Sequence, residues 1–346
     1  MEDRLFYLDN LKGVCIILVV FSHFTLLSSD TILGNVFMSL AWAAVPCFML
    51  VTGFLLHKKD NFSWDTYKTK LISIYLIVII WRVIYILVNI VLNGYIYKTS
   101  DLIKGILLIS NVTGINMDVF WYMKAYIVVY LIYPVTWFLL KNNGKKVLLS
   151  IMVLSGLSGI LVPSINIFLS YFSSFNIMDF NSFMPYVNYS YMIFYFCLGA
   201  FIFEYKTILN DKVNNIMPFG ILLFGLLMLI LEKYIETGCF RWNNIYISYG
   251  YNRISTVIMS VGLFMIFQYC FYKSRKNIFG TYIGQATMGI YFIHYILLEV
   301  LEKIVYPHIT EFSFLNNLVK TIVVIIIGSF ITFIIRKIPI VRKITM

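Results

Sequence analysis

The chain has 346 residues, of which 60% are hydrophobic and 12% are charged, and its mean hydropathy is +0.85. Soluble domains carry about 25% charged residues, so this composition excludes a soluble globular protein and predicts an integral membrane protein. The formal net charge is +11, and the positions of the basic residues decide whether it reflects nucleic-acid binding or membrane topology.

Ten stretches of the chain are apolar and long enough to cross a hydrocarbon core about 30 Å thick as helices. Two shorter apolar pieces, residues 102–110 and 165–173, predict interfacial or re-entrant segments. The sequence therefore predicts an all-α membrane bundle that forms a single transmembrane domain over residues 1–346. The predicted spans cover residues 11–27, 34–56, 71–92, 118–140, 147–163, 185–205, 216–235, 254–272, 282–301 and 318–336.

The basic residues predict the orientation of these spans. With the N-terminus in the cytoplasm, about two thirds of the 27 lysines and arginines fall on cytoplasmic segments, which is the positive-inside bias of membrane proteins. An even number of spans then places both termini in the cytoplasm. Topology explains the positive charge, and nucleic-acid binding is not expected.

The N-terminus does not resemble a cleavable signal peptide. Glu2, Asp3 and Asp9 offset its positive charge, and no small-residue cleavage site follows the first apolar run. The five cysteines, at positions 15, 47, 197, 239 and 270, match no metal-binding spacing, and most fall in apolar runs where cysteine is usually a small hydrophobic residue. We predict no disulfide and no bound metal.

The first apolar run, "LDNLKGVCIILVVFSHF" at Leu8–Phe24, carries a lysine at its start and a histidine near its end. The spacing corresponds to about three helical turns, so Lys12 and His23 lie on one helix face, about 16 Å apart along the axis. Lys12 is expected at the cytoplasmic edge and His23 beyond the midplane. Such a face suits a long ligand that enters from the cytoplasm with its charged end at the lysine, as an acyl-CoA would. The alternative is that His23 is an isolated polar residue, hydrogen-bonded inside the bundle.

Other ionisable residues are predicted at a similar depth. His294 and Arg82 lie about as far into outward-running spans as His23 does, and Lys124 and Glu299 lie nearer the outer side. A charged side chain in lipid costs ~2.5–3.5 kcal/mol on insertion scales, so these groups are expected to converge on an internal polar site. An enzyme and a transporter would both need such a site, and ion pairing within the bundle is the structural alternative for the charged members.

Four short motifs occur in order along the chain. They are "LDNLKG" at Leu8–Gly13 with the following His23, "FMLVTGFLL" at Phe48–Leu56, "FWYMKAYIVVYLIYP" at Phe120–Pro134 and "GIYFIH" at Gly289–His294. With them the chain resembles the acyltransferase 3 family of bacterial membrane acyltransferases over nearly its whole length. The family's hallmark is a basic residue, ten residues and a histidine in the first helix, which Lys12 and His23 match. The other three are similar to its S-G-F-L, F-W-Y-L and Y-x-x-H elements.

The resemblance implies transfer of an acyl group, most often acetyl, from acyl-CoA to a hydroxyl of a cell-surface glycan or its lipid-linked precursor. It implies acetyl-CoA as the donor, a multi-pass protein of the bacterial cytoplasmic (inner) membrane, and the stand-alone type without a secreted esterase-like domain. We expect His23 to act as general base or as a transient acyl carrier. His294 would orient the acceptor or stabilise the developing oxyanion, and Lys12 would hold the donor's phosphates or ribose.

One region departs from the family pattern. Many members carry two arginines three residues apart at the entrance of the third helix, where this chain has "YKTKLISIY", with Lys70 followed by Ser73. Lys68 could take the place of the missing arginine at a different spacing, although lysine does not reproduce the bidentate grip of arginine on phosphate. Lys68 and Lys70 are therefore predicted donor-binding residues, and the alternative is that they only hold the loop in the cytoplasm.

Aromatic and acidic residues complete the predicted site. Trp121 and Tyr291 are predicted to contact the acceptor, although aromatic residues at helix ends also form interfacial belts. Asp9 lies three residues before Lys12 and is expected to hold that lysine, to cap the helix, or both. The remaining predicted substrate-binding residues are Arg82, Lys124 and Glu299.

Two other functions remain open from the sequence. A glycan exporter or another transporter would also use a polar site in the middle of the membrane. The Lys12–His23 pair favours the enzyme, because a passive translocator has no evident need for it. An accessory membrane subunit without chemistry would leave the histidines unexplained.

Overall fold

The computed structural model describes residues 4–25, 32–109, 117–165, 189–239, 250–273, 275–305 and 314–338. Every regular element in these residues is helical, as the sequence predicts. The α-helices are α1 (Phe6–Thr25), α2 (Ile32–Trp42), α3 (Ala44–His57), α4 (Trp64–Asn93), α5 (Thr99–Ile106), α6 (Trp121–Lys141), α7 (Lys145–Gly156), α8 (Ser190–Glu204), α9 (Lys206–Lys212), α10 (Met217–Cys239), α11 (Ile254–Met265), α12 (Thr287–Val300) and α13 (Phe314–Lys337). Short 3-10 or π-helical turns adjoin them at Met117–Phe120, Leu157–Leu161, Ile266–Cys270, Gly280–Gly284 and Leu301–Val305.

Six segments of the described residues are long and apolar enough to cross a membrane. They are Phe6–His23, Val36–His57, Trp64–Asn93, Trp121–Lys141, Lys145–Ile165 and Phe314–Lys337. Shorter apolar helices occupy Ser190–Glu204, Met217–Glu232 and Ile254–Cys270. The prediction of a multi-span helical membrane protein is confirmed, while the count of ten spans stays a prediction.

The structure describes most of the first predicted interfacial piece and only the first residue of the second. Residues 102–110 coincide in part with α5, a helix of eight residues. The piece at 165–173 lies, after residue 165, outside the described residues.

The second predicted span, residues 34–56, is divided at Ala43 into α2 and α3. Pro46 lies in the first turn of α3 and has no N–H to donate to the carbonyl of Trp42, so the helical ladder is interrupted there. The N–H of Cys47 resumes the ladder by donating to the carbonyl of Ala43 at 3.0 Å.

The third predicted span begins earlier than hydropathy indicates, at Trp64 instead of residue 71. The Ser63 hydroxyl accepts a hydrogen bond from the N–H of Thr66 at 3.3 Å and so caps the start of α4. The charged residues of the first turns hide this start from a hydropathy scan. Gly94, in the left-handed conformation with φ +63°, ends the helix.

Close backbone contacts set the positions of the central helices. A Cβ on Gly53 of α3 would overlap the carbonyl oxygen of Phe196 of α8, and a Cβ on Gly199 of α8 would overlap that of Leu50. Small residues let two membrane helices approach this closely, and van der Waals packing is what drives their association in lipid. The contact holds α3 against α8 along its buried face.

A second set of contacts joins both ends of the chain. A Cβ on Gly284 would overlap the carbonyl of Asp9, so the turn Gly280–Gly284 lies directly against the start of α1. A Cβ on Gly289 would overlap the side chain of Thr332, so α12 lies equally close to α13. These contacts pack α1, α12 and α13 together and decide which of their side chains meet.

Two hydrophobic clusters fill the interior. The larger one draws on α1, α3, α6, α8 and α11, and the smaller one joins α4 and α12 to the start of α6. Tyr122, Tyr126, Tyr291 and Tyr295 pack against both clusters. These four tyrosines mark the boundary at which the candidate site lies.

Candidate active site

The two histidines that the sequence predicts at similar depth meet in the structure. His23 lies in the last turn of α1, and His294 lies in the middle of α12. Their ring centroids are 5.2 Å apart and their planes are inclined by 25°, so the two imidazoles are stacked. His294 is completely buried, whereas His23 is half-buried and therefore reachable.

The backbone of α12 fixes the tautomer of His294. Its Nδ1 lies 2.5 Å from the carbonyl oxygen of Tyr291 and 3.2 Å from that of Ile290. Carbonyl oxygens only accept hydrogen bonds, so Nδ1 carries the hydrogen and Nε2 carries the lone pair. Nε2 is buried and has no hydrogen-bond partner among the described residues. A buried lone pair left unpaired is costly, which marks this nitrogen as a place where a substrate donor can bind.

Tyr295 is one of the residues that sequence reasoning missed. Its hydroxyl lies 3.0 Å from Nδ1 of His23, and its ring centroid is 4.6 Å from that of His23 and 5.0 Å from that of His294. The hydroxyl thereby fixes the orientation of the His23 ring. Its position next to His294 in "GIYFIHY" is a weak signal, because adjacent residues on a helix point in directions about 100° apart.

An ionic cluster holds the predicted donor-binding lysine at the start of α1. Asp9 is buried, and its two carboxylate oxygens lie 2.8 Å from Nζ of Lys12 and 2.7 Å from Nε of Arg4. The Lys12 side chain keeps 25% of its surface exposed. Two cations share one carboxylate, so the cluster keeps a positive charge that an anionic ligand can reach. Arg4 was not predicted from the sequence.

Lys68 and Lys70 lie on the first turns of α4, and both are exposed. No described contact joins either lysine to Lys12. They therefore lie at the protein surface, where a charged ligand can approach them from water.

Arg82 is fully buried, but it lies beside the smaller hydrophobic cluster. Its guanidinium carbon lies 5.3 Å from the ring centroid of Phe120, a cation–π contact. Beside it, Trp81 stacks on Phe292 of α12 at 5.2 Å with nearly parallel rings. No described contact joins Arg82 to the histidines.

Glu299 and Lys124 lie apart from the histidines as well. The carboxylate of Glu299 pairs with Lys303 at 3.3 Å, one turn along the chain. Lys303 also donates to the carbonyl of Leu92 at 3.3 Å and to the side chain of Asn93, and so caps the end of α4. Lys124 is half-buried on α6, with no described contact to either histidine.

Of the predicted aromatic residues, Tyr291 adjoins the site and Trp121 does not. The Tyr291 ring lies 6.0 Å from that of His294, and its hydroxyl donates to the carbonyl of Val119. Trp121 is the first residue of α6, and its ring lies 5.7 Å from that of Tyr189 and 5.5 Å from that of Tyr251.

The described residues include no group of three or more histidine, cysteine, aspartate or glutamate side chains that could hold a metal ion. The groups with known acid–base or charge chemistry at the site are the two imidazoles, the Tyr295 hydroxyl and the cationic cluster at the start of α1.

Comparison with known proteins identifies the family of this chain. No curated protein and no solved structure matches this chain significantly. The family model of acyltransferase 3, described as an acyltransferase domain, matches residues 5–337, which is nearly the whole chain. This match agrees with the order of the four sequence motifs and includes both histidines, and the chain therefore belongs to the acyltransferase 3 family.

Proposed function

We propose that this protein is a membrane O-acyltransferase that moves an acyl group, most often acetyl, from acyl-CoA to a hydroxyl of a cell-surface glycan or its lipid-linked precursor. The observation that carries the proposal is the stacked pair of imidazoles from α1 and α12 inside a chain of an acyltransferase family. Transfer to a hydroxyl needs a group that removes its proton, and imidazole is the side chain most often used for this purpose. The proposed setting is the bacterial cytoplasmic membrane, with the donor on the inner side.

His23 is the proposed base. With hydrogen on Nδ1 donated to the Tyr295 oxygen, its Nε2 carries a lone pair that can take the proton of the acceptor hydroxyl. The acceptor oxygen then forms a bond to the thioester carbonyl carbon, the carbon–sulfur bond breaks, and the proton passes to the leaving thiolate to give free CoA. In the alternative route, Nε2 attacks the thioester, CoA leaves, and the acyl-imidazole then acylates the hydroxyl.

His294 is proposed to orient the acceptor. In its Nδ1–H tautomer, Nε2 accepts a hydrogen bond, for example from a hydroxyl next to the reacting one on a sugar ring. Stabilising an oxyanion would require a hydrogen on Nε2 and hence a protonated ring. Of the two roles expected from the sequence, the hydrogen bonds of Nδ1 support orientation of the acceptor better.

Lys12, with Arg4 and Asp9 around it, is proposed to hold the phosphates or ribose of the donor, and Lys68 and Lys70 are proposed to contribute from the surface. Tyr291 is proposed to line the acceptor side of the site because it touches His294. The other proposed substrate contacts, which have no described contact to the histidines, are Arg82, Trp121, Lys124 and Glu299.

The test uses sealed inside-out vesicles that contain the native protein, His23→Gln or His57→Gln. His57 is a matched control, because it is also a buried histidine, but Nδ1 and Nε2 are satisfied by the Gly53 carbonyl at 2.8 Å and the Thr136 hydroxyl at 3.1 Å. With labelled acetyl-CoA, release of free thiol and label in the glycan-lipid fraction should vanish in His23→Gln. In His57→Gln, both should persist per folded molecule.

Equal losses in the two variants would mean that His23 contributes only to folding. If the native protein consumes no acetyl-CoA in the presence of the cell's glycan lipids, and the vesicles instead take up unmodified glycan, the proposal is wrong and the protein is a transporter.

A further inference from the structure

Four tyrosines form a continuous row along α6. Tyr122, Tyr126, Tyr130 and Tyr133 recur at helical spacing. Successive ring centroids are 6.3, 6.3 and 5.9 Å apart. At ~1.5 Å per residue, the row extends about 16 Å along the helix axis, which equals the estimated distance from Lys12 to His23.

The row lies on the inner face of α6. The outer face carries Val128, Leu131 and Val135, whose side chains are about half exposed. At 100° per residue, the tyrosines lie roughly half a turn around the helix from these residues. Tyr122 and Tyr126 are nevertheless partly accessible. Because their face points into the bundle, this accessible surface lines an internal space.

The Tyr122 end of the row reaches the histidine pair. The ring of Tyr122 lies 5.6 Å from that of Tyr291, and Tyr291 in turn adjoins His294. The internal space beside Tyr122 is therefore next to the proposed reaction centre.

The other end of the row reaches the side of the bundle that the sequence predicts to be cytoplasmic. Tyr130 stacks face to face on Tyr67 of α4, with centroids 5.5 Å apart and planes only 6° from parallel. Tyr67 is followed directly by the exposed Lys68, with the exposed Lys70 half a turn further on. The row thus extends from the exposed Lys68 and Lys70, on the predicted cytoplasmic side, to the two histidines.

The hydroxyls of the row differ in how they are satisfied. Tyr133 donates to the carbonyl of Leu56 at 3.0 Å, which is an ordinary structural contact. The hydroxyls of Tyr122, Tyr126 and Tyr130 make no hydrogen bond with any described residue. Tyrosine hydroxyls inside a protein usually find a partner, so these three are expected to bond to something that enters the space.

We propose that the row from Tyr122 to Tyr130 lines an internal channel that binds the flexible pantetheine arm of the acyl-CoA donor. This inference rests on the proposed function. The arm is slender, uncharged and carries two amide groups, so it can lie along the flat faces of the rings while its amides bond to the hydroxyls. The phosphates would remain with Lys12, Lys68 and Lys70, and the thioester would lie beside His23. A neutral glycan would gain nothing from a lysine-lined entrance, which favours the donor as the occupant.

Cysteine labelling tests the channel without relying on acyl transfer. In a background in which all five native cysteines are replaced, Tyr126→Cys is compared with Val128→Cys, a matched control on the lipid face of the same helix. A positively charged methanethiosulfonate reagent is added to the cytoplasmic side of sealed inside-out vesicles. We expect rapid modification of Tyr126→Cys and none of Val128→Cys.

Two further additions identify the occupant. S-ethyl-CoA, a thioether that has the arm but no free thiol and no transferable acyl group, should slow modification of Tyr126→Cys at least tenfold. Adenosine 3′,5′-bisphosphate, a head-group fragment without the arm, should not. Failure of the reagent to modify Tyr126→Cys, or equal protection by both compounds, or protection by neither, would overturn the proposal. If Tyr126→Cys does not fold, Tyr122→Cys is tested in the same way.

The labelling test of the channel can fail or succeed independently of the acyl-transfer test of the proposed function. Protection by S-ethyl-CoA in a protein that transfers no acyl group would support the channel and refute the enzyme. Acyl transfer by the native protein, without protection of Tyr126→Cys or Tyr122→Cys by S-ethyl-CoA, would support the enzyme and refute the channel.

Discussion

Replacing Tyr295 by phenylalanine removes a single hydroxyl while keeping the ring that packs against both histidines. That hydroxyl is the group 3.0 Å from Nδ1 of His23. When His23 takes a proton from the acceptor, the ring becomes an imidazolium, and its hydrogen bond to Tyr295 becomes charge-assisted. The variant should therefore impair the transition state more than the ground state.

The size of the effect follows from the two strengths of this hydrogen bond. A neutral hydrogen bond contributes about 0.5–1.5 kcal/mol, and one to a charged group about 1.5–3 kcal/mol, so the transition state gains roughly 1–1.5 kcal/mol over the ground state. With 1.36 kcal/mol per factor of ten, kcat for acyl transfer should fall by roughly 5–13-fold, with little change in the KM for acyl-CoA.

The assay measures release of free thiol from acetyl-CoA by the purified protein in lipid, with the thermal midpoint recorded for each variant. Tyr195→Phe is the matched control, because the hydroxyl of Tyr195 donates to the carbonyl of Tyr251 at 2.9 Å, away from the histidines. It should cost similar stability and leave kcat unchanged. An unchanged kcat in folded Tyr295→Phe, or an equal fall in Tyr195→Phe, would refute the assigned role of Tyr295.

Two further predictions concern packing and donor binding. Gly53→Ala should destabilise the protein by about 1–3 kcal/mol because its Cβ would overlap a backbone carbonyl of α8, whereas Gly220→Ala, with open space around it, should leave the thermal midpoint unchanged or raise it. Equal shifts in thermal unfolding would contradict the close contact of α3 and α8. Asp9→Asn should raise the KM for acetyl-CoA several-fold because Lys12 loses its fixed position, while Glu204→Gln, which breaks another ion pair, should not. A lower KM in Asp9→Asn would mean that Asp9 only neutralises the lysine.

The sequence already carried the features that depend on neighbouring residues. Hydropathy over windows of the chain predicted a helical membrane bundle, and the structure confirms several spans. Helical periodicity placed Lys12 and His23 on one face of the first helix, and the order of the motifs led to the family that the comparison confirms. Each of these signals is local, so no knowledge of packing was needed to read it.

The composition of the site was decided by tertiary structure. His23 and His294 are far apart in the chain, and similar depth in the membrane could not distinguish them from Arg82, which instead packs on Phe120. Depth in a helix follows from counting residues. The direction in which a side chain points across the bundle follows from how each helix is rotated about its axis.

That rotation is set by contacts between distant segments. The close approach of Gly284 to Asp9 and of Gly289 to Thr332 packs α1, α12 and α13 together. The same packing brings Tyr295 to His23. The sequence by itself thus determined the class of protein, the family and the catalytic candidates. Only the packing of helices decided which candidates share one site, because the rotation of a helix about its axis depends on partners that lie elsewhere in the chain.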